Sequence, residues 1–158
     1  MLARTRLASA LYAGFTHSDN LLRMTFLDPA ARHFHRDWDR SAESTVATLR
    51  RTAEIDPEDP RLSRLVGELS VKSAEFRVPW ARHDVRGKTR AAKLFHHAQV
   101  GGLELHHESF TVNSAPTQQL VVYQAEPDST SADALALLGS LSVGPVPAQD
   151  TATGAVSD

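Results

Sequence analysis

Eight histidines stand in the 158 residues, and six of them fall in three close groups. His33 and His35 belong to the stretch Arg-His-Phe-His-Arg-Asp-Trp at 32–38, and two adjacent pairs follow, His96-His97 and His106-His107. Imidazole nitrogens beside a carboxylate are a common donor set for zinc or iron, so the backbone carrying them decides whether they could act together. Asp28-Pro29 just upstream reads as a helix start, which makes 32–38 helical. Each helical residue turns roughly 100°, so His33 and His35 diverge by about 200° and cannot close on one ion. The neighbours four apart are His33 with Asp37, a surface pair at most, and Phe34 with Trp38, an aromatic core contact.

The later pairs are expected on neighbouring strands, where adjacent residues face opposite sides. One histidine of each pair could then share a face across a hairpin, with Glu104 or Glu108 as a third ligand, depending on register. The plainer expectation, preferred here, is a set of half-exposed polar strand residues with one turned into a pocket. Other candidates for chemistry are weaker. Arg86-Gly87-Lys88-Thr89 imitates the end of a phosphate-binding loop, yet Arg82 stands where that loop needs glycine, and strand and helix come in the wrong order. The basic run Arg86, Lys88, Arg90 and Lys93 could bind an anionic ligand head or nucleic acid, but reads first as a solvated strand face. There is no Gly-x-Ser-x-Gly elbow, and the acidic pairs fall at helix starts, where they complement the dipole. The residues point to a binding module before an enzyme, with no catalytic set, no metal and no cofactor.

The elements that must position these side chains are legible in the periodicity. Leu21, Leu22, Thr25 and Phe26 form one helical stripe. Ala42, Thr45, Val46, Leu49 and Ala53 form a second, and Leu62, Leu65, Val66 and Leu69 a third. Asp59-Pro60 starts the third helix, and Ser73 caps another that runs towards Trp80, with Pro79 expected to kink or shorten it. From residue 88 the period changes, and three strands are expected over 88–100, 103–112 and 119–126, with turns at Gly101-Gly102 and 113–116. Thr130-x-x-Asp133 resembles a capping box and opens a last helix with Ala134, Leu137, Leu138 and Leu141 on one face. Turns this short favour antiparallel hairpins, so the expected class is α+β, with helices packed on one face of an antiparallel sheet and a C-terminal helix. The third strand is apolar on both faces, through Leu120 and Val122 on one side and Val121 and Tyr123 on the other. The second sheet face is therefore expected to meet another subunit or a segment outside this chain.

Composition sets the outer limits. The length suits one domain, expected over 1–141, and 142–158 lacks an apolar period and is expected to be a disordered tail. A net charge of −2 supplies no field to recruit nucleic acid. The absence of cysteine removes disulfides, thiolate zinc sites and a cysteine nucleophile, and fits a reducing, cytoplasmic compartment. No window approaches the roughly 20 apolar residues of a membrane span, and Arg6 breaks the only stretch resembling a signal peptide.

Several strings resemble a known family: FLDPAAR at 26–32, DW at 37–38, DPRLSRLVGELSVKSAEFRVPWARHDVR at 59–86, VGGLELHHESF at 100–110 and LVVYQAEPDSTSADALALL at 120–138. Their order and spacing are similar to the ligand-binding domain of MmyB-like transcription regulators, over nearly the whole chain up to Leu141. The resemblance implies a PAS-like fold that encloses an apolar cavity, with a small apolar, fatty-acid-like effector as ligand. It also implies a homodimer, and DNA contact only through a helix-turn-helix of the xenobiotic-response-element type that is absent from this chain. LARTRLASALYAGF resembles the segment that follows that reader domain, with Thr5 where the family usually has asparagine.

On this resemblance Phe26, Leu65, Trp80, Leu103, Leu105 and Tyr123 are expected to line the cavity, with Arg86 or His107 meeting a polar head. The chain departs from the family pattern at His96-His97, where His-Pro is usual, and at His107, where an aromatic such as tyrosine is usual. A histidine facing the pocket makes it more polar, or offers a carboxylate a charge-assisted partner.

Overall fold

The computed structural model describes residues 1–82 and 92–143. Among these the chain forms α1 (Arg6–Leu11), α2 (Leu21–Leu27), α3 (Ala31–Phe34), α4 (Trp38–Ile55), α5 (Pro60–Lys72), α6 (Ala74–Ala81), β1 (Lys93–His97), β2 (Gly101–Val112), β3 (Ala115–Gln124) and α7 (Thr130–Ser142). The strands make one antiparallel sheet in the order β1-β2-β3, and the fold is α+β with a C-terminal helix. The expected strand residues 88–91, the Arg86–Thr89 motif and the tail from residue 144 lie outside the described residues.

Local chemistry explains most helix starts. Asn20 caps α2, accepting from the backbone N–H groups of Leu22 and Arg23, and Asp37 caps α4 by accepting from Arg40. Asp59 caps α5 with Pro60 in its first turn, where a missing N–H is harmless. The buried Ser73 ends α5 and caps α6, its hydroxyl accepting from Phe76 N–H. Helix α6 runs through Pro79 to Ala81. In the last helix the cap lies one residue before the expected one, at Ser129, which accepts from Ala132.

Asp28 departs most from expectation. It ends α2, and the following helix starts only at Ala31, without a side-chain cap. The buried Asp28 carboxylate instead accepts three backbone N–H groups, from Thr16 at 2.7 Å, His17 at 3.3 Å and Ala30 at 3.1 Å. It fastens the loop after α1 to the turn after α2, satisfying amides that would otherwise be buried unpaired. Because α3 ends at Phe34, His35 is extended and bridges to Phe95 in β1. Trp38 closes this region: its Nε1 donates to the Thr25 carbonyl at 3.0 Å, and the Arg32 guanidinium lies 4.0 Å above its ring.

The sheet register decides which side chains share a face. Phe95 opposes Leu103, His107 opposes Tyr123 and Ser109 opposes Val121, all on the inner face. Leu94, Phe110, Leu120 and Val122 are exposed on the outer face, where Phe110 opposes Leu120. The β1–β2 link spans residues 98–100 and closes on Gly101, whose φ of +76° suits a residue without Cβ. The second hairpin is tighter than expected: Val112 opposes Ala115, so β3 begins before Pro116, which an edge strand tolerates.

Two hydrophobic clusters result. Leu11, Tyr12, Phe15, Met24, Phe34, Phe95, Leu103, Leu105 and Leu138 pack on the inner face of the sheet. Val46, Leu49, Leu69 and Phe76 join α4, α5 and α6, with Phe26, Leu62, Leu65 and Trp80 packed around them. Helix α7 turns Ser131, Ala134, Leu135 and Leu138 inward, while Leu137 and Leu141, expected on that face, are exposed. The Ser131 hydroxyl accepts the backbone N–H of Glu104 at 2.9 Å, so α7 covers the part of the β2 edge that β3 does not reach.

A cleft between helix α4 and the sheet

Helix α4 carries two different stripes. Ala42, Val46 and Leu49 are buried, the latter two in the helical cluster. Ser41, Thr45, Thr48 and Thr52, spaced by three or four residues and flanked by Ser44, line an open cleft whose other wall is the inner face of β2 and β3. The cleft has a volume of about 1780 Å³ and continues around α4 to α2 and α5. That exceeds the roughly 300–1,000 Å³ of most small-ligand sites, as expected for a groove open along its length. The threonine hydroxyls of the stripe donate to carbonyls four residues back, Thr45 to Ser41 at 2.7 Å and Thr48 to Ser44 at 3.0 Å. Their lone pairs remain available to a donor, as Thr48 shows by accepting from Arg51 Nη2 at 3.1 Å.

On the sheet side the wall includes Lys93, Phe95, His107, Ser109, Val121 and Tyr123. Tyr123 lies edge-on to Phe95 at 5.9 Å and tilted over His107 at 6.0 Å. It shares a side-chain hydrogen bond with Tyr12, which follows α1. Burial first, and then Tyr123, push the Tyr12 phenol well above its ordinary range, and burial raises Tyr123 as well. Both stay neutral and link the start of the chain to the last strand.

The inner end of the cleft holds an unusual group of nitrogens. Burial pushes the His35 imidazole down to about 4, helped by the charge of Lys93, and its Nδ1 is buried without a hydrogen-bond partner. Lys93 occupies the inward position of β1 opposite Leu105, and burial, then Arg40, lower its affinity for a proton, while Asp37 acts the other way. Neither Lys93 nor Arg40 has a side-chain hydrogen bond or close ion pair among the described residues. Two other cations of the cleft are engaged: Arg23 pairs with Glu68 at 2.8 Å, and Arg50 donates to the carbonyls of Pro79 and Trp80.

The expected site residues divide. Leu65, His107 and Tyr123 line the cleft. Phe26 stands behind it, edge-on to Phe76 and Trp38, and Trp80 stacks on Phe76 at 5.6 Å. Leu103 and Leu105 are fully packed in the sheet core, and Arg86 lies outside the described residues. The histidine pairs are kept apart by register. His97 opposes Gly101 whereas His107 opposes Tyr123, six residues further along β2, or roughly 20 Å at strand rise. His97 is buried, with Nε2 donating to the Ala10 carbonyl at 3.2 Å and Nδ1 accepting from Gln99 N–H, so both ring nitrogens are used structurally. His96 is exposed and meets His33 edge-on at 4.7 Å. Among the described residues no three histidines or acids gather as metal ligands.

Neither Arg40 nor the hydroxyl stripe is among the residues singled out from the sequence, and His35 and Lys93 are singled out there for other roles. The signal for the stripe lies in the spacing of Ser41, Thr45, Thr48 and Thr52, but Thr45 also fits the apolar period of Ala42, Val46 and Leu49. The basic run containing Lys93 suggests a solvated face, although the alternation Lys93-Phe95-His97 puts it inward once Phe95 is core.

A family model described as the MmyB-like transcription regulator ligand binding domain matches residues 1–138. No curated protein and no solved structure matches the chain. No helix among the described residues is long and apolar enough to cross a membrane.

Proposed function

The chain belongs to the family of MmyB-like transcription regulator ligand-binding domains, a ligand-sensing regulatory role, and we propose that it senses a small apolar or fatty-acid-like effector in the cleft between α4 and the sheet. The cleft itself carries this reading. Its lining mixes Leu65 of α5 and Val121 of β3 with polar groups, and Tyr123 and His107 stand side by side opposite α4. The domain would adopt a PAS-like arrangement in which the effector lies between sheet and helices, with Phe26 and Trp80 supporting α4 from behind.

Coupling to DNA would run through a helix-turn-helix domain outside this chain, in the cytoplasm, with the domain alone not binding DNA. The outer sheet face supports a homodimer: Phe110 and Leu120, 56% and 58% exposed, sit opposite each other, with Val122 next on the same face of β3. An effector that binds one arrangement of two subunits better than another would shift their populations and so the spacing of the readers. Native mass spectrometry of gently purified protein tests the reading. A co-purified acyl chain, or a rise in melting temperature with added alkanoic acid, is expected. A ligand-free protein that no fatty acid stabilises would overturn it.

A further inference from the structure

We propose that the inner end of the cleft is an anion-binding subsite for the carboxylate of an organic acid, built from Lys93 of β1, Arg40 of α4, and the hydroxyls of Ser41 and Ser44. This rests on the sensor reading and specifies its ligand class. Beside the main cleft lies a chamber of about 50 Å³, bounded by Asp37, Arg40, Ser41, Ser44, Lys93 and His107, together with Ala92 and Leu94. That is room for a group of carboxylate size. The rest of the molecule would lie in the cleft it adjoins, since Arg40, Ser41, Ser44, Lys93 and His107 border both.

The electrostatics favour an anion. An ammonium placed on the inward face of a strand loses hydration, which a protein normally offsets with a close acid. Lys93 has no such partner among the described residues, and Arg40 sits near enough to oppose its charge. The nearby acid, Asp37, uses one carboxylate oxygen to cap α4 on Arg40 N–H at 3.2 Å. The Ser41 and Ser44 hydroxyls make no hydrogen bond among the described residues, leaving two donors directed by the helix stripe to the same chamber. A carboxylate entering it would gain charge-assisted hydrogen bonds from Lys93 and Arg40 and separate two like charges from one another.

An inward lysine on an edge strand has another use, the suppression of edge-to-edge pairing. Titration calorimetry with dodecanoate and with methyl dodecanoate, its neutral ester, separates the two. Wild-type protein is expected to bind the acid more tightly than the ester. Lys93→Met should weaken the acid roughly ten- to a hundredfold, the worth of a hydrogen bond between charged groups, and leave the ester unchanged. Arg40→Gln, on the helix surface, should do the same if Lys93→Met disturbs the sheet. Equal binding of acid and ester by wild type, unaltered in both variants, would overturn the subsite while the sensor reading stood. Binding of neither ligand would count against both. A Lys93→Met protein that binds the acid normally but self-associates would assign the lysine to edge protection instead.

Discussion

The two halves of β2 have the same inward face and opposite surroundings. In the first half Leu103 and Leu105, 2% and 0% exposed, are sealed by Leu11, Phe95 and Leu138. In the second half the inward residues are His107 and Ser109, and they face α4 across the cleft. The inward residues and their cover change together. The first half lies under α1 and α7, whose inward residues are apolar, and the second under a helix whose facing stripe is hydroxylated. Packing an apolar strand against apolar helices expels water and yields a core, while placing polar residues on both walls leaves a wet groove that a ligand can occupy. A single strand thus anchors the fold at one end and lines the site at the other.

The largest expected effect comes from the sealed half. Leu105→Ala should cost about 3 kcal/mol of stability, because the deleted methyl groups leave a cavity that Phe95 and Leu138 cannot close. Urea denaturation measures it, and a loss below about 1 kcal/mol would mean that this half is not close-packed. Next in size is acid. The folded-state pKa of His35, about 4, lies below the unfolded value of about 6.5, so the unfolded chain binds the proton first. The stability due to neutral His35 is full above pH 6.5 and is lost as pH falls towards 4, amounting to about 2 kcal/mol by pH 4.5. Glu68 and Glu75, held below the ordinary carboxylate range by hydrogen bonds, lose their share mainly at lower pH. His35→Gln should flatten the urea midpoint between pH 6.5 and 4.5; an unchanged slope would place the acid-sensitive group elsewhere.

How much of this contrast could be read beforehand follows from range. The helix stripes, the caps at Asp59 and Ser73 and the hairpin order depend on neighbours within a few residues, and the expected and observed elements agree there. Asp28 is not legible locally, because its partners Thr16 and His17 are twelve and eleven residues away, and a local rule sees only Pro29. The histidine pairs depended on register, which the three-residue link ending at Gly101 fixes and spacing alone left open. Of the site, Leu65, His107 and Tyr123 came from family resemblance, and the cleft includes them. Lys93 escaped because a charged residue on a strand is ordinarily solvated, and only the depth of Phe95 beside it shows which way the strand faces.

A moderate effect is expected at the boundary between the halves. Tyr123→Phe removes the hydrogen bond with Tyr12 but keeps the ring against Phe95 and His107. The loss should be about 1 kcal/mol, the usual net worth of such a bond, and a thermal melt resolves it. Tyr12→Phe should give a similar value, and the double variant should cost less than the two together, since one bond is lost in all three.

The smallest effect should come from the wet half. Thr48→Val keeps the shape of the side chain and deletes the hydroxyl that donates to the Ser44 carbonyl and accepts from Arg51. In a sealed core such a loss would strand a carbonyl and a guanidinium, at roughly 1–3 kcal/mol. In an open cleft water replaces both partners, and removing a hydroxyl that bonds four residues back relieves a slight distortion of the helix. The expected change is therefore within about 0.5 kcal/mol of zero, the range of substitutions away from buried features. A cost near 2 kcal/mol would show that α4 is pressed dry against the sheet, and the contrast between the halves of β2 would fall with it.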